Sequence, residues 1–205
     1  MACPCGGAYL YRLVFNSALP AMPAPPYQQT PVLETERLCL RGYQLADLDA
    51  YLAIWQAPAF YRYLSPRPMV EEEVWTMMLR SVGHWALQGF GFWAVEEKAS
   101  GRFIGAVGFA DGKRHIEPSI KGVPEIGWVL AAAAHGQGYA SEAVAAALAW
   151  GDQHFGGART VCIMDPDNLA SRRVAEKFGY REFARTTYKG EPTLMMERPA
   201  RSVTF

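Results

Sequence analysis

A chain of 205 residues, half of them hydrophobic and 20% charged, has the composition of one globular domain with a sizeable core, which excludes a disordered chain. Lys plus Arg and Asp plus Glu both number 20, so the formal net charge is zero and no global basic field exists to hold nucleic acid or an anionic membrane. No apolar run reaches the ~18–20 residues that a membrane helix needs.

In chain order, a lead-in comes first. Residues 8–14 are apolar, but Arg12 interrupts them and no positively charged stretch precedes, so a signal peptide is not expected. Met22 offers an alternative start. Proline crowds residues 20–31, and residues 1–31 are expected to be a disordered lead-in to a folded domain over 32–200. Leu38 and Leu40, flanked by Arg37 and Arg41, alternate as in a half-buried strand. Asp47 opens a helix with Leu48, Tyr51, Leu52 and Trp55 on one face, ended by Pro58. A second helix follows Pro68, with Val70, Val74, Met78, Val82 and Trp85 as its stripe and glutamates 71–73 in its first turn, where the dipole favours them.

Residues 92–97 and 102–109 read as strands of a hairpin, followed by a polar loop over 111–123. Then come a strand (125–131), a helix (139–155), a strand (159–165) and a helix (168–178). Two strands (180–188 and 193–198), joined through Lys189-Gly190, end the chain. The pattern predicts a single α/β or α+β layer domain, without internal repeats. Cys3, Cys5, Cys39 and Cys162 follow neither a disulfide framework nor zinc-ligand spacing, and the histidines 84, 115, 135 and 154 form no HExxH pattern. Reduced cysteines in a cytoplasmic protein with no metal are expected.

The chemistry-bearing segment is His135-Gly136-Gln137-Gly138-Tyr139-Ala140-Ser141-Glu142, placed between a strand and an amphipathic helix whose buried stripe is Ala140, Val144, Leu148 and Phe155. The first turn of such a helix has backbone N–H groups without helical partners and carries partial positive charge. Two glycines let a bulky anion approach closely, which suits a phosphate or pyrophosphate. A Walker loop would need a lysine that is absent here. A dinucleotide fingerprint is closer, because Gly136-x-Gly138 follows a strand and Asp165 ends the next one. Ser141, however, stands in place of the third glycine, and 131–134 is too long for the tight turn. A helix start that merely prefers glycine remains an alternative on this segment alone.

Four separated motifs resemble the GNAT superfamily of N-acetyltransferases, in particular its ribosomal-protein N-terminal acetyltransferase-like branch. They are Leu33-Glu34-Thr35-Glu36-Arg37-Leu38-Cys39-Leu40-Arg41; Glu125-Ile126-Gly127-Trp128-Val129-Leu130; Gly136-Gln137-Gly138-Tyr139-Ala140-Ser141-Glu142-Ala143; and Asn168-x-x-Ser171 with Glu176-Lys177-Phe178-Gly179-Tyr180. The resemblance implies a single domain built on a mixed, mostly antiparallel sheet with flanking helices, whose two central parallel strands splay apart around acetyl-CoA. It implies that Trp128 and Leu130 offer backbone groups to the pantetheine arm and the thioester carbonyl. It also implies that the amides of His135, Gly136, Gln137, Gly138, Tyr139 and Ala140 hold the pyrophosphate, and that Asn168 and Ser171 contact the pantetheine. An asparagine before a helix is equally a good N-cap.

Acetyl transfer needs a neutral amine, a stabilised oxyanion and a protonated leaving thiolate. Glu125 is the candidate general base, since a glutamate entering an apolar strand should have a raised pKa if partly buried; a solvated strand-edge carboxylate is the alternative. A strand amide near Leu130 would meet the oxyanion. Many relatives place a tyrosine acid where this chain has Ala175, and Tyr180 and Tyr188 are substitutes without a positional argument. The expected partner is a small-molecule or peptide amine, with no nucleic acid and no membrane; a homodimer is left open. A non-catalytic acyl-CoA sensor or scaffold is the alternative function. The acceptor pocket is expected between the early helices, loop 111–123 and the final hairpin, near Trp55, Tyr61, Tyr63, His84, Trp85, His115 and Glu117.

Overall fold

The computed structural model describes residues 30–58, 63 and 67–201. Nearly all of the expected lead-in, together with Cys3 and Cys5, lies outside the described residues. The strands are β1 (Leu33–Glu34), β2 (Leu38–Arg41), β3 (Phe92–Glu97), β4 (Arg102–Ala110), β5 (Glu125–Leu130), β6 (Thr160–Met164), β7 (Arg181–Tyr188) and β8 (Glu191–Arg198). They form one sheet in the order β1-β2-β3-β4-β5-β6-β8-β7. Neighbours pair antiparallel except β5 and β6, which run parallel. The helices are α1 (Leu48–Gln56), α2 (Glu71–Gln88), α3 (Tyr139–His154) and α4 (Leu169–Lys177).

Local chemistry sets these elements. Glu73 accepts from the Val70 N–H at 3.0 Å and so satisfies an orphan donor at the start of α2. Lys189 and Gly190, at φ +54° and +89°, form the two-residue turn with positive φ at both positions that a twisted hairpin favours. The helix stripes follow the expected faces with one difference. Val74, Met78 and Trp85 are buried, whereas Val70 and Val82 are about half exposed (53% and 52%). Val82 lies eight residues beyond Val74, roughly 80° round the helix, and Val70 stands before the first turn.

The sheet is covered on both faces. On one, α3 and α4 bury Tyr139, Ala143, Val144, Ala147, Leu148 and Ala175 against Leu38, Leu40, Trp93, Ile126, Leu130, Cys162 and Met196. Trp85, Trp93, Trp150 and Phe155 pack edge to face within this cluster. On the other face, α1 and α2 cover Ala106 and Val129, while Ile116 and Ile120 of the loop after β4 cover Val161 and Met195. That loop, polar on average, is thus pinned by two isoleucines.

Candidate active site

The parallel pair β5–β6 meets at its N-terminal end only. Glu125 is in register with Val161, and the Val161 N–H donates to the Pro124 carbonyl at 3.0 Å. Beyond that point the strands part and leave a cleft towards Leu130 and Met164. The groups facing this cleft follow from strand alternation. The Ala131 N–H donates to the Ile104 carbonyl on β4 at 2.8 Å. The Val129 carbonyl approaches β4 so closely that a Cβ at Gly105 would lie 2.2 Å from it. Residues 129 and 131 therefore turn their peptide groups to β4, and Trp128 and Leu130 turn theirs into the cleft. The Leu130 carbonyl lies 2.9 Å from His135 Nε2; since a carbonyl only accepts, that nitrogen carries the proton.

At the mouth of the cleft a 3-10 turn (Ala132–Ala134) leads into the 135–138 turn and α3. Gly136 and Gly138 have φ of +74° and +81°, and Gly138 is the N-cap of α3. The first-turn amides, including those of Tyr139 and Ala140, lack helical partners, and the helix dipole adds positive character. The 135–138 turn and the first-turn amides therefore stand at the open end of the β5–β6 cleft, where the anion site is expected, and a donor set of this kind fits a pyrophosphate. Three residues to which no role is assigned from the sequence brace the turn. Arg37 donates to the Gln137 carbonyl at 2.9 Å and to Glu142 through Nε at 2.7 Å, while Thr35 Oγ1 donates to Glu142 at 2.6 Å. Thr35 and Arg37 belong to the first resemblance motif, a signal that names the residues without their contacts.

Across the cleft, Asn168 caps α4, its Oδ1 accepting from the Ser171 N–H at 3.1 Å. Capping accounts for that oxygen alone and places both residues at the end of β6. Ala175 is buried (1%). Tyr180 is a core residue, 2% exposed, its hydroxyl 2.6 Å from Thr160 Oγ1 at the closed end of β6; burial pushes its pKa well up. Tyr188 is half-buried beneath Arg114, whose guanidinium carbon is 5.2 Å from the ring centre.

Glu125 starts β5 on the face shared with Val129. Both its oxygens accept from Arg114, at 2.6 and 2.7 Å, and its side chain is 12% exposed. Burial lowers the Arg114 pKa, but the bonds to Glu125 outweigh that and raise it. Five residues, roughly 16 Å of strand, separate Glu125 from Leu130. Of the expected acceptor-pocket residues, Trp55 and Trp85 are core (9% and 3% exposed), and the Trp85 indole donates to the Phe92 carbonyl at 3.0 Å. Tyr63 and His84 are half-buried, His115 and Glu117 are exposed, and Tyr61 lies outside the described residues. The loop and the final hairpin do meet, with Tyr188 and Phe183 packed against the cluster of Ile116 and Ile120.

The profile of the acetyltransferase (GNAT) domain matches residues 37–181, and the chain belongs to that family. Protein YkkB of Bacillus subtilis (strain 168), itself uncharacterized, is 37% identical over 113 residues, 54% of this chain and 62% of YkkB, so the match spans less than two thirds of that relative. The uncharacterized N-acetyltransferase YoaA of the same bacterium is 27% identical over 154 residues, 74% of this chain and 84% of its own. Among solved structures, one described as a GnaT-family acetyltransferase from Bordetella pertussis is 31% identical with a TM-score of 0.72, covering 82% of this chain and 99% of that one. The ribosomal L7/L12 alpha-N-protein acetyltransferase RimL, in complex with coenzyme A, shares the fold at 19% identity with a TM-score of 0.66, covering 83% and 98% of the two chains. The family consists of acetyl-CoA-dependent acyltransferases, and the domain over 37–181 is one of them.

Proposed function

We propose that this chain transfers an acetyl group to a primary amine, on a small molecule or a protein N-terminus, in a ternary complex in the cytoplasm. The observation that carries the reading is the alignment of two features. The β5–β6 cleft has the Trp128 and Leu130 peptide groups turned into it, and at its open end stands the N-terminus of α3 with its glycine turn. Acetyl-CoA, when bound, supplies the activated acyl group. The Trp128 and Leu130 peptide groups would orient an extended amide-bearing arm by strand-like hydrogen bonds. The Leu130 N–H would stabilise negative charge developing on a carbonyl oxygen placed beside it. The amides of 135–140 would hold the pyrophosphate, and Ser171 with the Asn168 amide would line the opposite wall.

Glu125 is the carboxylate this site offers as proton acceptor for the incoming ammonium. Its distance along β5 from Leu130 calls for a path through water, and its bidentate bond to Arg114 means that the guanidinium withdraws before the carboxylate takes a proton. The acceptor would enter on the face of the sheet that carries the two early helices, α1 and α2, loop 111–123 and its contact with the β7–β8 hairpin. The free thiols Cys39 and Cys162 suit a reducing compartment.

Thiol release from acetyl-CoA, followed with a panel of amines that includes ribosomal-protein N-terminal peptides and polyamines, tests the reading. Amine-dependent turnover with an N-acetylated product is expected. Tight CoA binding with no turnover on any amine would leave a sensor or scaffold module instead. No stabilisation by CoA would overturn both.

A further inference from the structure

We propose that Arg37 is a positioning residue for the anion cradle. From the connection between β1 and β2 it fixes the peptide between Gln137 and Gly138 so that the Gly138 N–H faces the bound pyrophosphate, and it cancels the charge of Glu142 in the first turn of α3. The inference rests on residues 135–140 being a pyrophosphate site, as proposed above.

The geometry is specific. Arg37 Nη1 donates to the Gln137 carbonyl at 2.9 Å. In a planar trans peptide the C=O and the following N–H point in opposite directions, so fastening the Gln137 carbonyl to Arg37 turns the Gly138 N–H away from it, to the open side of the turn. The same guanidinium reaches Glu142 Oε2 through Nε at 2.7 Å and Nη2 at 2.6 Å. The Arg37 backbone N–H donates to Glu142 Oε1 at 2.8 Å, where Thr35 Oγ1 also donates at 2.6 Å. Its plane lies over the Tyr139 ring, 4.4 Å from the centroid, and the Tyr139 hydroxyl is tied to Glu97 at 2.6 Å. One side chain thus touches the residue before the N-cap, the first helical residue and the first-turn carboxylate of α3.

Charge gives the second half of the role. Glu142 is held ionised: burial raises its pKa, but the bonds from Thr35 and Arg37 outweigh this and lower it. An uncompensated carboxylate in that turn would repel a polyphosphate entering the cradle, and Arg37 is the cation in contact with it. Lysine would bring the charge alone. A single ammonium cannot grip a carboxylate side-on and a carbonyl at the same time.

The test is calorimetric binding of CoA and of pantetheine, which lacks the pyrophosphate, to the wild-type chain and to Arg37→Lys, Arg37→Met and the double variant Arg37→Met with Glu142→Gln. No acceptor is required. Both single variants should weaken CoA by about tenfold or more, with pantetheine binding unchanged and Arg37→Met the weaker. The double variant should recover part of the loss, because the repelling charge is gone, but not all, because the Gln137 carbonyl is still unheld. Unchanged CoA affinity, or an equal loss for both ligands, would overturn the role; Arg37→Lys keeps the test valid if Arg37→Met does not fold. A wild-type chain that binds CoA no better than pantetheine would refute the pyrophosphate reading itself.

Discussion

Gly138 combines a left-handed backbone (φ +81°) with the N-cap of α3, and a Cβ there would lie 3.5 Å from Arg37 Nη2, an ordinary contact. The cost of a side chain is therefore conformational rather than steric. Gly138→Ala should lose about 1 kcal/mol in denaturant unfolding. Gly138→Glu adds negative charge to the cradle and should abolish CoA binding; normal CoA affinity in that variant would remove the turn from the site. Glu125 carries the proton-transfer proposal. Glu125→Gln should lower kcat/KM by about 10²-fold at neutral pH, and an unchanged rate with an unchanged pH profile would end that role. The sequence places Glu125 at a strand entrance but does not show Arg114, eleven residues earlier in an irregular loop, closing on both its oxygens. Periodicity says nothing about such a loop, whose path is fixed by Ile116 and Ile120 packing on β6 and β8.

Among the elements, α3 is the one that the proposed anion site requires to be held rigidly, because that site uses its N-terminus. Arg198 of β8, 6% exposed, reaches Asp152 near the end of α3 with Nη2 at 2.8 Å from Oδ2. Removing the carboxylate leaves a guanidinium buried without its counter-charge. Asp152→Ala should lower the unfolding free energy by roughly 3 kcal/mol, seen as a lower denaturation midpoint with an unchanged m-value. An effect below about 0.5 kcal/mol would show the pair to be solvent-screened. The helices and most strand limits were readable from local pattern, since capping, apolar spacing and turn residues act within a few positions of the chain. The Val82 exposure was not, because which side of a long helix is covered depends on its partner. Aromatic residues grouped as pocket candidates divided likewise: Trp55 and Trp85 belong to the core.

Over the whole molecule, titration should show in stability. His84 and His154 have pKa values lowered from 6.5 by burial, so the unfolded chain binds their protons first as pH falls. Stability is then full above about pH 6.5 and declines below it. Glu142 is lowered from 4.5, its bonds to Thr35 and Arg37 overcoming burial, and Asp111 is lowered from 3.8, its bonds to Lys113 and the Gly122 amide doing the same. Their contribution is present above those values and is lost as pH falls through the lower folded ones. Tm should therefore fall in two stages, a shallow one starting near pH 6.5 and a steeper one below about pH 4.5. His84→Gln should flatten the first stage; a Tm independent of pH between about 7 and 5 would contradict the histidine assignment.

By itself the sequence determined the single mixed-sheet domain, the strand–turn–helix proposed as the anion site, and, through four ordered motifs, the acetyltransferase family. All of these depend on local backbone preferences and on residue types at fixed spacing. Tertiary structure alone decided that β5 and β6 meet only at Glu125 and Val161, that Arg114 closes on both oxygens of Glu125, and that Arg37, about a hundred residues before the 135–140 turn, braces it. For Trp128 and Leu130, which the resemblance already implies, it supplied the register that turns their peptide groups away from β4. Those features are set by hydrogen-bond register between strands and by side chains meeting across the fold. No spacing along the chain encodes them, because the partners become neighbours only when the sheet is assembled.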